Sequence, residues 1–347
     1  MSKKTKIGII GTGAIAQGTH IPAYLNHPDV EIVAVCDIRK DVLDKAHADT
    51  GAKYKFTDYN ELLKLEEIEA VDICTPNYVH NAPTISALQA GKHVIVEKPI
   101  ALNAIEGAEM VEASRKFGKK LMVAYCRRWG SDAQALRRFV DAGEMGEIYY
   151  ARVQALRRRG IPNWGVFTQK DKQGGGPLID IGVHMLDMTL WFMGHPKPVA
   201  ASGKCYTKFG TRPGITNSWG PWDYKNFTVE DFATGLIRFE NGATLVIESS
   251  FVANIGDNIL NTALLGTEGG CELSPLKMYK EKNQTLLDMT PVSMPQVNIH
   301  EAEIIAFIDA IRNDKPSPVP GEEGLMVAKI MDAIYKSSDE NKEVEIK

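Results

Sequence analysis

The chain has 347 residues, of which 44% are hydrophobic and 24% are charged, and its formal net charge is −4 at pH 7. This length suits two domains better than one core, and the composition is that of a folded globular protein. The weak negative charge argues against a protein held mainly by nucleic-acid phosphates, which normally presents a basic surface.

Targeting and redox features favour the cytoplasm. The sequence contains no apolar run of the roughly 18 residues that suggest a membrane span. Its basic N-terminus leads into a short apolar run, Ile7 to Ile10, which glycines interrupt, unlike the core of a secretory signal. The cysteines are odd in number and widely scattered, at Cys36, Cys74, Cys126, Cys205 and Cys271. Without C-x-x-C spacing they predict buried, reduced thiols and no metal site.

Short apolar runs alternate with helical patterns over the first 125 residues. The candidate strands are Lys6–Ile10, Glu31–Asp37, Ala70–Cys74, His93–Glu97 and Lys120–Ala124. The helical patterns are Asp41–Thr50, Ala82–Ala90 and Ala104–Phe117. Gly51, Gly91 and Gly118 follow them, where left-handed C-caps are expected. This alternation predicts an α/β Rossmann domain over residues 1–125, with a parallel sheet covered on both faces.

From about residue 146 the rhythm changes to longer apolar runs separated by turn signals. These runs are Ile148–Leu156, Val199–Phe209, Phe232–Phe239, Ala243–Phe251 and Ile259–Leu265. Helical patterns occur at Ile181–Met193 and near His300–Arg312 and Glu322–Lys336. We expect residues 126–347 to form an α+β domain with a large, mainly antiparallel open sheet. The last helices are candidates for packing back on the first domain.

A glycine-rich motif follows the first candidate strand. Residues Gly11 to Ala16 read G-x-G-x-x-A and precede a helical stretch. The first glycine permits a tight turn, the second lets the backbone approach a pyrophosphate, and the small last residue packs helix on strand. Amides at the helix start would face the phosphates. Dinucleotide binding is therefore predicted for Gly11, Thr12, Gly13, Ala14 and Ile15.

An acidic residue bears on the choice of cofactor. Asp37 ends the second candidate strand, about 20 residues beyond the motif, where the acid that binds the ribose hydroxyls is expected. Its carboxylate would repel the 2′-phosphate of NADP. Arg39 follows closely and either offsets this repulsion in part or is a solvated residue at a helix start. NAD is the predicted cofactor, and NADP is the less favoured alternative.

Three further segments are specific in combination. Thr75-Pro76-Asn77, with His80 just beyond, follows the third candidate strand. Glu97-Lys98-Pro99 ends the fourth, and Gly174 to Asp187 contains an Asp-x-Gly-x-His sequence. Together these segments resemble the glucose–fructose oxidoreductase, inositol dehydrogenase and rhizopine catabolism family, and the resemblance covers nearly the whole chain.

This resemblance implies a Rossmann domain followed by an open antiparallel sheet that carries the substrate site and often an oligomer interface. It also implies hydride transfer at a carbinol carbon of a sugar, cyclitol or glycoside. Two segments, Gly160–Gly165 and Asn217–Asp231, resemble a branch that acts on sugars and glycosides, some of them at the 3-hydroxyl. The cofactor contacts that the resemblance adds are Thr75, Pro76, Asn77, His80, Glu97 and Lys98.

Oxidising an alcohol requires a base for the hydroxyl proton and a donor that stabilises the developing alkoxide. Lys98 leaves a parallel strand at its carboxyl end, where ligands bind in open α/β sheets, and the matching lysine of the family contacts the reacting hydroxyl. Asp180 and His184 are four apart at a predicted helix start, so both can project from one face. We assign His184 as the base, because histidine titrates near neutrality, and Asp180 as the group that orients the hydroxyl and Lys98. Whether Lys98 and His184 act as one proton relay stays open.

The substrate pocket is less constrained. Arg128 lies in a segment that resembles a family segment near cofactor and substrate. Trp164 either stacks on a sugar face or the nicotinamide, or is an aromatic of the core. The run Arg157-Arg158-Arg159 is interpreted as solvated charge, with phosphate recognition as the less favoured alternative. The loop Trp219–Tyr224 is interpreted as the mouth of the pocket, facing an aglycone. Asp187 is expected to make a structural bond. With Asp180 and His184 it resembles a metal-ligand set, but Lys98 would oppose a cation, so no metal is predicted.

The sequence is also compatible with two functions other than that of a simple dehydrogenase. One is redox-assisted glycoside cleavage, in which a tightly held NAD is recycled. The other is a catalytically silent NAD-binding regulator, against which the joint presence of Lys98, Asp180 and His184 argues. In each case the expected partners are a small molecule and further copies of the chain, as a dimer or tetramer, because the sheet face of the second domain needs covering. Neither nucleic acid nor membrane is an expected partner.

Overall fold

The computed structural model describes residues 4–347. The chain folds into two compact units. The first unit comprises the chain up to Cys126 together with Asn298–Leu325. The second comprises Arg127–Val297 together with Met326–Lys347. Among residues 4–347, none of the helices combines the length and hydrophobicity that crossing a membrane requires.

The first unit is built on a six-stranded parallel sheet. Its strands are β1 (Thr5–Ile10), β2 (Val30–Cys36), β3 (Tyr54–Phe56), β4 (Ala70–Ile73), β5 (His93–Glu97) and β6 (Leu121–Ala124). They lie in the order β3-β2-β1-β4-β5-β6, so the strand order reverses between β1 and β4. The crevice at the carboxyl ends of the strands beside such a reversal is where ligands bind in this class of sheet.

Short helices connect these strands. They are α1 (Ile21–Asn26), α2 (Lys40–Thr50), α3 (Tyr59–Leu63), α4 (Asn81–Gln89) and α5 (Ala104–Phe117), with a π-helical turn at Ala16–His20 before α1. Gly51, Gly91 and Gly118 have φ of +63°, +76° and +62°. The predicted left-handed C-caps are thereby confirmed, because only glycine enters this region without steric cost.

The second unit is built on a nine-stranded mixed sheet. Its strands are β7 (Ile148–Leu156), β8 (Pro198–Tyr206), β9 (Phe232–Phe239), β10 (Thr244–Ser250), β11 (Ile259–Gly266), β12 (Gly270–Leu273), β13 (Leu276–Lys282), β14 (Thr285–Met289) and β15 (Val344–Glu345). Their order is β14-β13-β12-β11-β7-β10-β9-β8-β15. The pair β7–β10 is parallel and the others are antiparallel. The predicted fold class, a Rossmann domain followed by a mainly antiparallel sheet, is confirmed.

Five further α-helices lie in the described part of the chain. They are α6 (Ser131–Asp141), α7 (Lys170–Gln173), α8 (Val183–Phe192), α9 (Ile299–Arg312) and α10 (Gly321–Glu340). A π-helical turn, Leu178–Gly182, runs directly into α8. Helix α9 lies wholly in the first unit, whereas α10 begins there and continues in the second. Before α10 the chain pairs with β6, where the Val123 amide donates to the Val319 carbonyl at 3.0 Å.

Candidate functional site

The glycine-rich turn after β1 has the geometry of a dinucleotide cradle. Gly11 has φ +86°, and a Cβ there would lie 2.7 Å from the backbone of Cys74, so no other residue fits. At Gly13 the nearest atom to an added Cβ would be Arg39 Nη2, at 3.9 Å, which leaves the backbone open to a close approach. Ala14 and Ile15 are exposed at the start of the following helix. The turn therefore fits a pyrophosphate held by backbone amides.

Asp37 stands beside this turn and is held in place by it. Its Oδ2 accepts from the Thr12 amide at 2.9 Å and from Thr12 Oγ1 at 3.3 Å, and its Oδ1 accepts from the Arg39 amide at 2.9 Å. A carboxylate has about four acceptor positions, so capacity remains for ribose hydroxyls. The exposed Arg39 guanidinium lies nearby, with Nε 3.8 Å from Asp37 Oδ1. Both residues are thus placed where the adenosine ribose is expected.

His80 joins two backbone segments at the carboxyl end of the sheet. Its Nδ1 lies 2.9 Å from the Pro99 carbonyl and its Nε2 lies 2.8 Å from the Thr75 carbonyl. Burial lowers the pKa of His80, although both carbonyls oppose this shift. Which of the two ring nitrogens donates depends on the tautomer of the imidazole. Thr75, Pro76 and Asn77 follow β4, and the ring of His80 fixes this segment against the segment of Pro99.

Lys98 sits at the end of β5 on a buried polar network that the sequence did not indicate. The peptide bond between Lys98 and Pro99 is cis. Glu97 Oε2 accepts from the Lys98 amide at 3.1 Å, and Glu97 Oε1 lies 3.0 Å from His20 Nε2. The other ring nitrogen, His20 Nδ1, lies 2.7 Å from Asp72 Oδ2. The backbone of Lys98 is therefore supported by a chain of three buried titratable groups.

This network is arranged as a buried cation between two carboxylates. Burial disfavours the charged form of His20, but Asp72 and Cys74 oppose burial and raise the pKa of His20 well above its ordinary value. Burial raises the pKa of Glu97, but the hydrogen bond and charge of His20 outweigh burial, so the pKa of Glu97 lies below its usual range. Within residues 4–347, two groups of side chains have the spacing that could hold a metal ion, and both contain His20. One adds Asp72 and Cys74, and the other adds His300 and Glu303. Since both ring nitrogens of His20 already face carboxylates, we interpret the cluster as an ion-pair network.

In the second unit a buried carboxylate caps the turn that carries Asp180. Glu230 accepts from the amides of Gly176 and Leu178 at 2.9 and 3.2 Å, and from Tyr335 Oη at 2.9 Å. A Cβ on Gly176 would lie 2.1 Å from the Glu230 carbonyl oxygen, so this approach requires glycine. Close packing against Glu230 at this helix start thus explains the glycine at position 176 of the motif.

Asp180 and His184 occupy adjoining helical segments of different type. Asp180 is buried in the π-helical turn Leu178–Gly182, and His184 is partly exposed in the first turn of α8. The α-helical spacing assumed for the pair therefore holds only approximately, because π-helical bonds join residues five apart. Arg157, just after the end of β7, donates from Nη1 to Asp180 Oδ2 at 3.3 Å. The interpretation of Arg157 as solvated charge was wrong, since this guanidinium is largely buried and paired.

Arg128 and Asp187 form a buried ion pair. Arg128 Nε and Nη2 donate to the two oxygens of Asp187 at 2.8 and 2.6 Å, and the side chains are 3% and 1% exposed. Asp187 makes a structural bond, as expected. The prediction of Arg128 as a substrate-binding residue has no support from this geometry, because its guanidinium faces Asp187 and, at 3.4 Å, His195 Nε2.

Three tryptophans of the second unit divide into exposed and anchored residues. Trp164 and Trp219 are 52% and 40% exposed, and their ring centroids lie 5.1 Å apart. Trp222 instead packs against an apolar cluster that includes Phe227 and Phe251, and its Nε1 donates to the Gly210 carbonyl at 2.7 Å. Within the loop Trp219–Tyr224, Trp219 is therefore the exposed tryptophan and Trp222 an anchor.

Comparison with known proteins gives matches along the whole chain. A model of an oxidoreductase family with an NAD-binding Rossmann fold matches residues 5–125, and the C-terminal alpha/beta domain of the same family matches residues 137–346. D-glucoside 3-dehydrogenase of Escherichia coli K12 is 35% identical over 99% of this chain and 98% of its own. The scyllo-inositol 2-dehydrogenase (NADP(+)) of Bacillus subtilis is 25% identical over 98% of this chain and 95% of its own.

The fold recurs in a solved structure. Levoglucosan dehydrogenase, in complex with NADH and L-sorbose, has a TM-score of 0.87 at 24% identity, and the match covers both chains completely. The named relatives are dehydrogenases of sugars and cyclitols, that is, enzymes that act on CH–OH groups. With both domain models matched in order and a relative 35% identical along the whole chain, the protein belongs to the glucose–fructose oxidoreductase, inositol dehydrogenase and rhizopine catabolism family of NAD-binding oxidoreductases.

Proposed function

We propose that this protein oxidises a secondary hydroxyl of a D-glucoside, at the sugar 3-position, with transfer of hydride to NAD. The observation that carries the proposal is the 35% identity, over nearly the full length of both chains, to a protein named D-glucoside 3-dehydrogenase. Free sugars and cyclitols are the next substrate classes, since other relatives are named for them. Asp180, His184 and Lys98 supply the polar groups that this chemistry requires.

NAD is proposed over NADP on the position of Asp37. Its carboxylate, fixed by the amides of Thr12 and Arg39, would accept ribose hydroxyls and repel a 2′-phosphate. The exposed Arg39 guanidinium stands beside that carboxylate, so it reduces this discrimination without replacing it. One relative is named for NADP, which makes the ratio of NAD to NADP activity a quantity to measure for this chain.

In the proposed reaction the carbinol hydrogen leaves with its electron pair and the hydroxyl proton passes to a base, which yields a ketone. When bound, the nicotinamide supplies the hydride acceptor. His184 takes the hydroxyl proton, and the ammonium of Lys98 stabilises negative charge on the reacting oxygen. Asp180 orients the hydroxyl, and Arg157 holds the Asp180 carboxylate in place through the bond at 3.3 Å.

Lys98 is positioned through its backbone. We assign Glu97, His20 and Asp72 to this support, because one oxygen of Glu97 accepts from the Lys98 amide while the other contacts the His20 ring. Such a network fixes a strand end more rigidly than an exposed turn would. Glu97 and His80 accordingly act on the site by holding its backbone, and Gly11 to Ile15 and Asp37 hold the cofactor.

The test is to incubate purified protein with NAD or NADP and to follow the absorbance of the reduced cofactor. The compounds to be tested are methyl and phenyl D-glucosides, free aldoses and inositols. NADH formation with glucosides, and a 3-keto product by NMR, supports the proposal. NADH formation with inositols alone would assign a cyclitol dehydrogenase instead. Release of the free sugar without net NADH would indicate redox-assisted cleavage with a recycled cofactor. NADH binding with no turnover of any compound would indicate a silent regulator.

The assembly and location are proposed on separate observations. We propose a homo-oligomer, a dimer or tetramer, because β14 is an edge strand whose side chains include Leu286, 84% exposed. An unpaired strand edge with exposed apolar side chains is a ready surface for pairing with another chain. Light scattering measures this directly, and a monomer at micromolar concentration would contradict it. Five free cysteines, four of them buried, support a reducing compartment such as the cytoplasm.

A further inference from the structure

Two exposed tryptophans form an aromatic surface near Asp180. Trp164 and Trp219 meet at 5.1 Å with an interplanar angle of 61°, and Phe167 adds a third ring, 6.1 Å from Trp164. Large aromatic side chains are usually well buried, so adjacent exposed rings need an explanation. These three residues lie on two loops, one after β7 and one before β9.

One guanidinium connects this surface to Asp180. The Arg157 side chain lies over the Trp219 ring, with its central carbon 4.9 Å from the ring centroid, and the same group donates to Asp180 Oδ2 at 3.3 Å. Arg157 also donates to the Gly160 carbonyl at 3.2 Å, at the start of the loop that carries Trp164. The aromatic surface and the carboxylate are therefore neighbours within one unit.

The two loops are held rigidly beneath the rings. Asn217 Nδ2 donates to the carbonyls of Ile161 and Gly220, at 2.9 and 2.8 Å, and Asn217 Oδ1 accepts from the Ile161 amide at 2.9 Å. Asn163 Nδ2 donates to the Trp219 carbonyl. Trp222 anchors the far side of its loop in the apolar cluster. The exposed rings thus project from a fixed backbone, which reduces the entropy lost on binding a ligand.

Several polar groups beside the rings already bond within the protein. Asn163 and Asn217 bond the loop backbone, and Arg157 bonds Asp180 and Gly160. A sugar ring would bring hydroxyls that need partners, whereas a flat apolar group needs only contact area. The chemistry of this surface therefore favours an apolar ligand over a second sugar.

We propose that Trp164 and Trp219 form an aglycone subsite that takes an aromatic or other flat apolar aglycone, with the sugar hydroxyl directed towards Asp180. This inference rests on the proposed function, since it assigns the substrate of that reaction to the glycosides with apolar aglycones. Stacking of one aromatic group is expected to favour a phenyl over a methyl glucoside by about ten-fold in affinity.

The test is calorimetric titration of the NADH-saturated protein with phenyl and methyl D-glucosides, each as both anomers. The wild type is expected to bind one phenyl anomer about ten-fold more tightly than its methyl counterpart. Trp219→Ala should remove most of this preference by weakening the phenyl compound far more than the methyl compound. Trp219→Phe, which keeps a ring, should retain most of the preference and so controls for folding. Tyr206→Ala, which removes an exposed aromatic from the end of β8, should leave the ratio unchanged.

Three results would overturn the subsite. They are equal binding of phenyl and methyl glucosides to the wild type, equal losses for both in Trp219→Ala, and no binding of either. The proposed function fails by a different result, which is the absence of NADH formation from glucosides and other sugars with NAD supplied. A phenyl preference in binding without turnover would therefore keep the subsite and remove the dehydrogenase. Turnover with equal affinity for both glucosides would do the reverse.

Discussion

Replacing Arg128 by Met distinguishes a structural role from the substrate-binding role that the sequence suggested. The Arg128 and Asp187 side chains are 3% and 1% exposed and share two hydrogen bonds, at 2.8 and 2.6 Å. Met roughly fills the volume of the aliphatic stem but leaves the Asp187 charge buried without its cation. Breaking such a pair from one side costs about 3–5 kcal/mol. We therefore expect Arg128→Met to lower the free energy of unfolding by that amount.

All five tryptophans lie in the second unit, so urea denaturation followed by tryptophan fluorescence reports the stability of that unit. The double variant Arg128→Met/Asp187→Leu removes both charges and should recover more than half of the loss, because the uncompensated carboxylate is gone. A loss of less than about 1 kcal/mol for Arg128→Met would contradict a stabilising role of this ion pair. A variant of unchanged stability with a raised KM for glucosides would instead assign Arg128 to substrate binding.

Variants at the cofactor turn, the proposed catalytic groups and the buried network test the remaining assignments. Asp37→Ala should weaken NADH binding and reduce the ratio of the affinities for NADH and NADPH, measured by fluorescence titration with both cofactors. An unchanged ratio would show that Asp37 does not select the cofactor. His184→Ala and Lys98→Ala should each lower turnover by about 10²–10⁴-fold, and His184→Ala should still bind NADH nearly as well as the wild type. Wild-type turnover in either variant would exclude that residue from the mechanism. The pKa of His20 is raised, so its stabilising charge is fully present below about pH 6.5, the unfolded value, and is lost as pH rises through the higher folded value. The stability difference between wild type and His20→Gln should therefore shrink with rising pH in urea denaturation from about pH 6 to 10, and an increase would contradict this assignment.

Several elements were predictable because their signals are local. The helix Ala104–Phe117 and the strands Ile148–Leu156 and Phe232–Phe239 have the bounds that their apolar periodicity predicts. By contrast β3, β12, β14 and β15 have two to five residues, too few for a periodicity to show. Their strand conformation depends on pairing with a neighbour, which is a tertiary interaction.

The buried polar groups show the same division. The residues around His20 and Glu230 in the sequence do not predict that these side chains are buried. Their burial depends on elements that are distant in the chain. His20 is 77 positions from Glu97, and Glu230 is 54 from Gly176. A single arginine run likewise divides, since Arg157 pairs with Asp180 while Arg158 and Arg159 bond the backbone and side chains near Ala253.

The sequence alone determined the fold class, the dinucleotide turn and the family, because these rest on short motifs whose geometry is local to a strand, a turn and a helix start. Which polar residues support others and which face outwards depends on contacts between distant parts of the chain. The tertiary structure pairs Arg128 with Asp187, places Arg157 between Asp180 and Trp219, and anchors Trp222 while leaving Trp219 exposed. The residue type of a charged or aromatic side chain does not by itself determine what that side chain does. Its free energy in the folded protein depends on which distant groups bury it and bond to it.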